Sequence, residues 1–196
     1  MKIKKLIFIY VLIIGSISFI LPNSDYFQIF TNSSTGSYYQ YGKNSYFEYF
    51  LNEKFKFKEK EYFGRVRQYS WGTIDTTYFR RGEKFFCRYN TKTKLESIEL
   101  PITPTKNQKW KEADGSWQYQ ILKVNCEFKA VKKTFKNCIL VECKQVTNKD
   151  KEKSTIYYLY YSKNLGYVGN STKNGKVLSY LKERKKNSQQ GDIIGK

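Results

Sequence analysis

The sequence predicts an all-β protein, an antiparallel meander forming a curved sheet, half barrel or barrel-like domain, preceded by an N-terminal signal or anchor helix. Three observations predict it. Aromatic residues make up 18% of the chain, with 18 Tyr and 14 Phe, and such side chains suit the pleated, half-buried surface of a sheet. Past residue 21 no window repeats apolar residues at the i, i+3, i+4, i+7 spacing of an amphipathic helix. In its place come short apolar runs closed by Gly, Asn or charged turns, the punctuation of consecutive antiparallel strands.

The first element is the signal. Lys2, Lys4 and Lys5 precede an apolar run over residues 6–14, followed by Gly15, Ser16, Ile17 and Ser18. That is the layout of a secretory signal, with Ser16 and Ser18 as the small residues a peptidase reads. The apolar stretch continues to Leu21 and stops at Pro22, short of the roughly 20 residues a spanning helix uses. Residues 1–21 are therefore expected to be a signal peptide or N-terminal membrane anchor. The product is expected outside the cytoplasm: periplasmic, secreted, or anchored by an uncleaved signal.

Residues 22–181 suit one antiparallel β domain, long enough to bury roughly 70% of its unfolded surface. Strand candidates fall at 38–41, 46–51, 62–71, 74–81, 84–89 and 95–100, with Phe55 and Phe57 alternating with lysines between the second and third. Pro101 and Pro104 end the last of these, and polar residues 105–115 around Trp110 read as the longest internal loop. Further strands follow at 117–124, 126–131, 135–146, 155–162, 166–169 and 176–181. Asn174-Gly175 is the strongest hairpin signal, since both residues tolerate the positive φ of a type I′ turn. Residues 182–196 are a basic tail with little to bury, expected to be disordered.

The formal charge of +19 would ordinarily point to an anionic partner. Here 30 of the 36 basic residues are Lys, accompanied by abundant Asn, Ile, Tyr and Phe, the set AT-rich codons favour. No nucleic-acid partner is expected of an exported chain, and a membrane is expected only through the N-terminal segment if uncleaved. An anionic envelope component remains as a partner for the lysines.

The absence of histidine removes Ser-His-Asp and Cys-His nucleophiles and His-based zinc sites. Cysteines Cys87, Cys126, Cys138 and Cys143 are too irregularly spaced for a zinc knot. The stretch from Gly169 to Lys176 has neither the spacing nor the following Ser or Thr of a phosphate loop. No metal, cofactor or catalytic residue is assigned. Glu48, Asp75, Glu127 and Glu142 lie within strands and leave a carboxylate hydrolase as an alternative, although solvated strand faces explain them more simply. Cys126 and Cys138 sit on strands expected to be adjacent, joined by a turn at Lys132-Lys133, and are the disulfide candidates. Three pairings and four buried thiols stay equally open. A curled aromatic sheet would hold an apolar or saccharide-like ligand in its concave face. The residues singled out for that role are Trp71, Trp110, Trp117, Tyr119, Tyr158 and Tyr160, each of which core packing would also explain.

One stretch resembles a signature of exported bacterial proteins and lipoproteins of unknown function. The residues are Lys133-Thr134-Phe135-Lys136-Asn137-Cys138-Ile139-Leu140-Val141-Glu142, then Tyr157 to Tyr161, then Lys163-Asn164-Leu165-Gly166-Tyr167-Val168. They are similar to that family's "tFkNCikVe" and "YYakgvGlV" strands. Arg80-Arg81, the strand ending at Pro101, and Trp110 and Trp117 follow its order. The resemblance implies an open barrel or half barrel akin to periplasmic lipoprotein carriers. This chain lacks the lipid-bearing N-terminal Cys of many relatives and carries cysteines beyond Cys138. The functional expectation is a non-catalytic binding or envelope-associated module. The alternatives are a carboxylate hydrolase and a lysine-rich surface protein binding anionic polymers.

Overall fold

The computed structural model describes residues 25–27, 35–147 and 155–186, and the regular structure among them is strand. In chain order these are β1 (Thr35–Tyr41), β2 (Asn44–Phe57), β3 (Lys60–Tyr69), β4 (Ile74–Arg81), β5 (Phe85–Asn90) and β6 (Leu95–Pro101). They are followed by β7 (Lys109–Lys111), β8 (Trp117–Lys129), β9 (Thr134–Gln145), β10 (Ile156–Ser162), β11 (Gly166–Thr172) and β12 (Val177–Lys186). All belong to one antiparallel sheet in which each strand, except at the β6–β7 junction, pairs with its neighbours in the chain and β1 pairs with β12. The result is an up-and-down barrel closed everywhere except between β6 and β7. Across that seam the Ala113 N–H donates to Ser97 Oγ at 3.0 Å and Arg88 pairs with Glu112 at 2.5 Å. Pro101 ends β6 there, and proline has no N–H to extend a ladder.

Bulges interrupt the ladders in β1, β2, β5, β8 and β10, and each adds twist and bend that help a sheet close. The two longest hairpins fold back over the outer face beyond their bulges. Phe57, past the irregularity in β2, stacks on Tyr89 of β5 at 4.6 Å. Phe128, past that in β8, stacks on Tyr160 of β10 at 4.2 Å.

One end of the barrel is filled. Residues Asp25 to Phe27 enter it, with Phe27 buried 5.0 Å from the Phe79 ring and 5.1 Å from Phe86. Asp25 pairs with Arg81, and its carbonyl accepts from the Asn164 N–H at 3.2 Å. Phe50, Leu100, Ile121, Ile139 and Val141 complete this apolar tier. Each such side chain contributes on the order of 1.5–3 kcal/mol of burial.

Several expectations are corrected. Residues 109–111 form a short strand inside the expected loop, because Trp110 turns inward between two exposed lysines. Residues 117–124 and 126–131 are parts of one bulged strand. The basic tail is not disordered from 182: β12 runs to Lys186, its backbone paired with β1, so main-chain hydrogen bonds order what side-chain burial would not. In the Asn174-Gly175 turn only Gly175 takes positive φ, at 79°. The two-residue type I′ geometry falls instead at Lys58-Glu59, with φ of 47° and 61°. The signal segment and residues 187–196 lie outside the described residues. Among the described residues no helix is long and apolar enough to cross a membrane.

Candidate functional site

Strand alternation builds the site. On β3 every second side chain turns into the barrel, which sends Phe63 to the filled end and then Arg65, Arg67 and Tyr69 toward the open one. Their cross-strand partners on β2 are Phe50 for Arg65, Glu48 for Arg67 and Tyr46 for Tyr69. Two guanidinium groups and one carboxylate therefore share a tier just above the apolar floor.

Within it, Arg67 Nε donates to Glu48 Oε2 at 2.7 Å, while Arg65 Nε stands 3.5 Å from the same oxygen. The Arg65 side chain is 8% exposed, and its guanidinium lies 4.3 Å from the centre of the Phe79 ring. Its Nε makes no hydrogen bond among the described residues. Burial pushes the Glu48 carboxyl upward, but Arg65 and then Arg67 more than offset this and hold it below its ordinary value. Glu48 is thus an ionised counter-ion. A general acid would need the opposite shift.

The opposite wall carries a second cluster. Arg88 of β5 donates to Glu112 at 2.5 Å and lies 3.6 Å from Glu99. Tyr119 donates to the other Glu112 oxygen at 2.7 Å, and Tyr161 to Glu99 at 3.3 Å. Between the clusters, the Tyr167 hydroxyl is 2.8 Å from Ser179 Oγ, which donates to Asn170 at 2.8 Å. Burial raises the Tyr167 phenol to about 12, and pushes Tyr119 and Tyr161 further still, so all three stay protonated.

These groups surround a cavity of about 230 Å3 lined by Arg65, Arg67, Arg88, Glu99, Tyr161 and Asn170 among others. Arg67, Tyr167 and Asn170 also line a cleft of about 580 Å3 bounded by Tyr41, Tyr69, Trp71 and Ile74. Arg88, Tyr119 and Leu159 continue into a second recess of about 380 Å3 beside Trp117 and Tyr157. A lumen filled at one end thus opens through an aromatic mouth at the other, on a scale suited to a small ligand.

The residues singled out from sequence divide between the two faces. Trp71 sits at the mouth, 50% exposed and stacked on Tyr69 at 4.5 Å. Trp117 borders the second recess, 6.1 Å from Tyr157, and Tyr119 lines the lumen. Trp110 is buried against Tyr119 at 5.4 Å. The period of two places Tyr158 and Tyr160 on the outer face, where Phe128 covers Tyr160. Among the strand acids, Glu48 and Asp75 face inward, Glu142 lies in an outer groove among lysines and glutamines, and Glu127 is exposed.

Cys126 and Cys138 are direct cross-strand partners. All four thiols are free in this structure, with Cys126 Sγ 3.3 Å from the Cys138 carbonyl. Among the described residues no group of His, Cys, Asp or Glu could hold a metal.

Sequence reasoning passed over the arginines. A signal was present: in a chain whose base is nearly always Lys, Arg65 and Arg67 stand two apart on one strand face. Among the described residues Arg65, Arg67, Arg80, Arg81 and Arg88 each pair with a carboxylate, the setting in which a planar fork outperforms an ammonium. No protein-family model, curated protein or solved structure matches the chain.

Proposed function

We propose that this chain is an exported, non-catalytic binding protein of the cell envelope that takes a small ring-bearing ligand into its lumen. The observation that carries the reading is the aromatic mouth leading to a buried tier of hydrogen-bonding groups. Aromatic faces grip sugar or ring surfaces, and a few placed polar groups fix orientation. The signal-like residues 1–21 and the resemblance over residues 133–168 support the location. The ionised Glu48, held by two arginines, fits a fixed binding wall better than a proton donor.

Fluorescence titration with p-nitrophenyl β-glucoside tests this, since its ring quenches tryptophan. The wild type is expected to quench saturably. Trp71→Ala, at an exposed turn, is expected to weaken binding about tenfold, and Asn170→Trp, which fills the lumen, to abolish it. Unchanged affinity in both folded variants would move binding away from the lumen and overturn the reading.

A further inference from the structure

We infer that the lumen recognises an oxyanion, a carboxylate or phosphate borne by the ligand's inner end, with Arg65 as its principal contact. The inference rests on the lumen-binding reading and names the ligand class for it.

The donors and acceptors in the tier are unequal. Arg65, Arg67 and Arg88 all line the 230 Å3 cavity, and Glu99 is the one carboxylate on that wall. Glu48 lies behind it, lining the narrow space beneath, and Glu112 faces the neighbouring recess. A guanidinium offers several N–H donors in a fixed fork. Arg67 and Arg88 each spend one on a carboxylate, at 2.7 and 2.5 Å. The buried Nε of Arg65 makes no hydrogen bond among the described residues, standing 3.5 Å from a Glu48 oxygen that Arg67 already occupies.

A cation held at 8% exposure with its Nε–H unsatisfied is costly unless something accepts from it. Stacking over Phe79 fixes the plane of the guanidinium and leaves its edge for a planar acceptor. The acids cannot serve incoming donors equally well, since Glu48 and Glu112 each already accept from an arginine and Glu112 also from Tyr119. A neutral sugar would leave the surplus donors unmatched. A cationic ligand would meet three guanidinium groups. An oxyanion pairs with the fork in a site where low dielectric strengthens the contact.

Calorimetric titration of the full chain with glucuronate, glucose 6-phosphate and methyl glucoside tests this. One acidic probe is expected to bind at least about tenfold more tightly than methyl glucoside, and which one decides between carboxylate and phosphate. Arg65→Met leaves Glu48 paired with Arg67 and is expected to lose that advantage, so that acidic and neutral probes then bind within about twofold of each other. Arg65→Lys, which keeps the charge without the fork, is expected to retain part of it and controls for misfolding. Equal affinity for acidic and neutral probes, or an unaltered preference in Arg65→Met, overturns the oxyanion assignment alone. Failure of all three probes to bind overturns the assignment together with the lumen-binding reading.

Discussion

Arg80 of β4 reaches past β5 to Glu96 of β6, with Nε 2.6 Å from Oε2 and Nη2 2.7 Å from Oε1. The Tyr62 hydroxyl donates to the same carboxylate, and Lys60 lies 3.1 Å from it. This cluster pins the seam-side strands together on the outer face, beneath the folded-back β2–β3 hairpin.

Arg80→Lys keeps the charge and removes the fork. Both side chains are about a fifth exposed, at 21% and 23%, so solvent weakens the pair without erasing it. The variant is expected to lose about 1–2 kcal/mol of unfolding free energy in urea titration. An unchanged midpoint would show the pair to be a surface ornament.

Acid should unfold the barrel partly through Glu96. The Arg80 hydrogen bonds hold its pKa at about 2, against an ordinary 4.5, despite partial burial. A depressed carboxylate stabilises the native state fully above the unfolded value and loses that contribution as pH falls toward the folded one. Wild-type stability is therefore expected to drop between pH 4.5 and about 2 more steeply than that of Glu96→Gln. Parallel pH profiles for the two proteins would remove Glu96 from the account.

Gly169 is placed where a side chain has no room. Its φ is 155°, and a Cβ would meet the Ser179 carbonyl at 2.4 Å and the Phe128 ring at 2.5 Å. Gly169→Ala is expected to cost about 2 kcal/mol or more, because a backbone atom and an interlocked ring must both move. Adding Phe128→Leu should recover only the ring's share. A thermal midpoint equal to wild type would refute the close approach.

The thiols separate by access. Cys138 is fully buried with its pKa raised to about 11 by burial and then by Cys126. Cys87 and Cys143 are also buried, whereas Cys126 is half-buried. Brief alkylation of the reduced native protein should modify Cys126 first, read by peptide mass spectrometry. Because Cys126 and Cys138 are cross-strand partners, protein matured in an oxidising compartment is expected to protect both until reductant is added. Labelling of Cys126 without reductant in such protein would rule out that bridge.

The fold was largely legible because period-two alternation and turn residues are local. The strand around Tyr46 announces itself by a buried side chain at every second position, Tyr46, Glu48 and Phe50. The three-residue β7 did not, since one inward Trp110 makes no period. The far end of β12 did not, since a lysine-rich strand is held by main-chain bonds to β1 that side chains never advertise.

The site was less legible. Trp71 and Trp117 were found as aromatics, and they border the mouth and the second recess respectively. Tyr158 and Tyr160 look identical to Tyr157 and Tyr161 in sequence, and only the register of β9, β10 and β11 sends the former outward and the latter into the lumen.

Composition and alternation by themselves determined that this chain makes antiparallel strands and lacks histidine chemistry. Tertiary structure decided that β1 would meet β12, that Phe27 would fill one end, and that Arg65, Arg67 and Arg88, drawn from two strands, would converge on one cavity. The reason is physical: a residue's alternation is set by its immediate neighbours, whereas a charge acquires meaning only from what long-range pairing brings within a few ångströms of it.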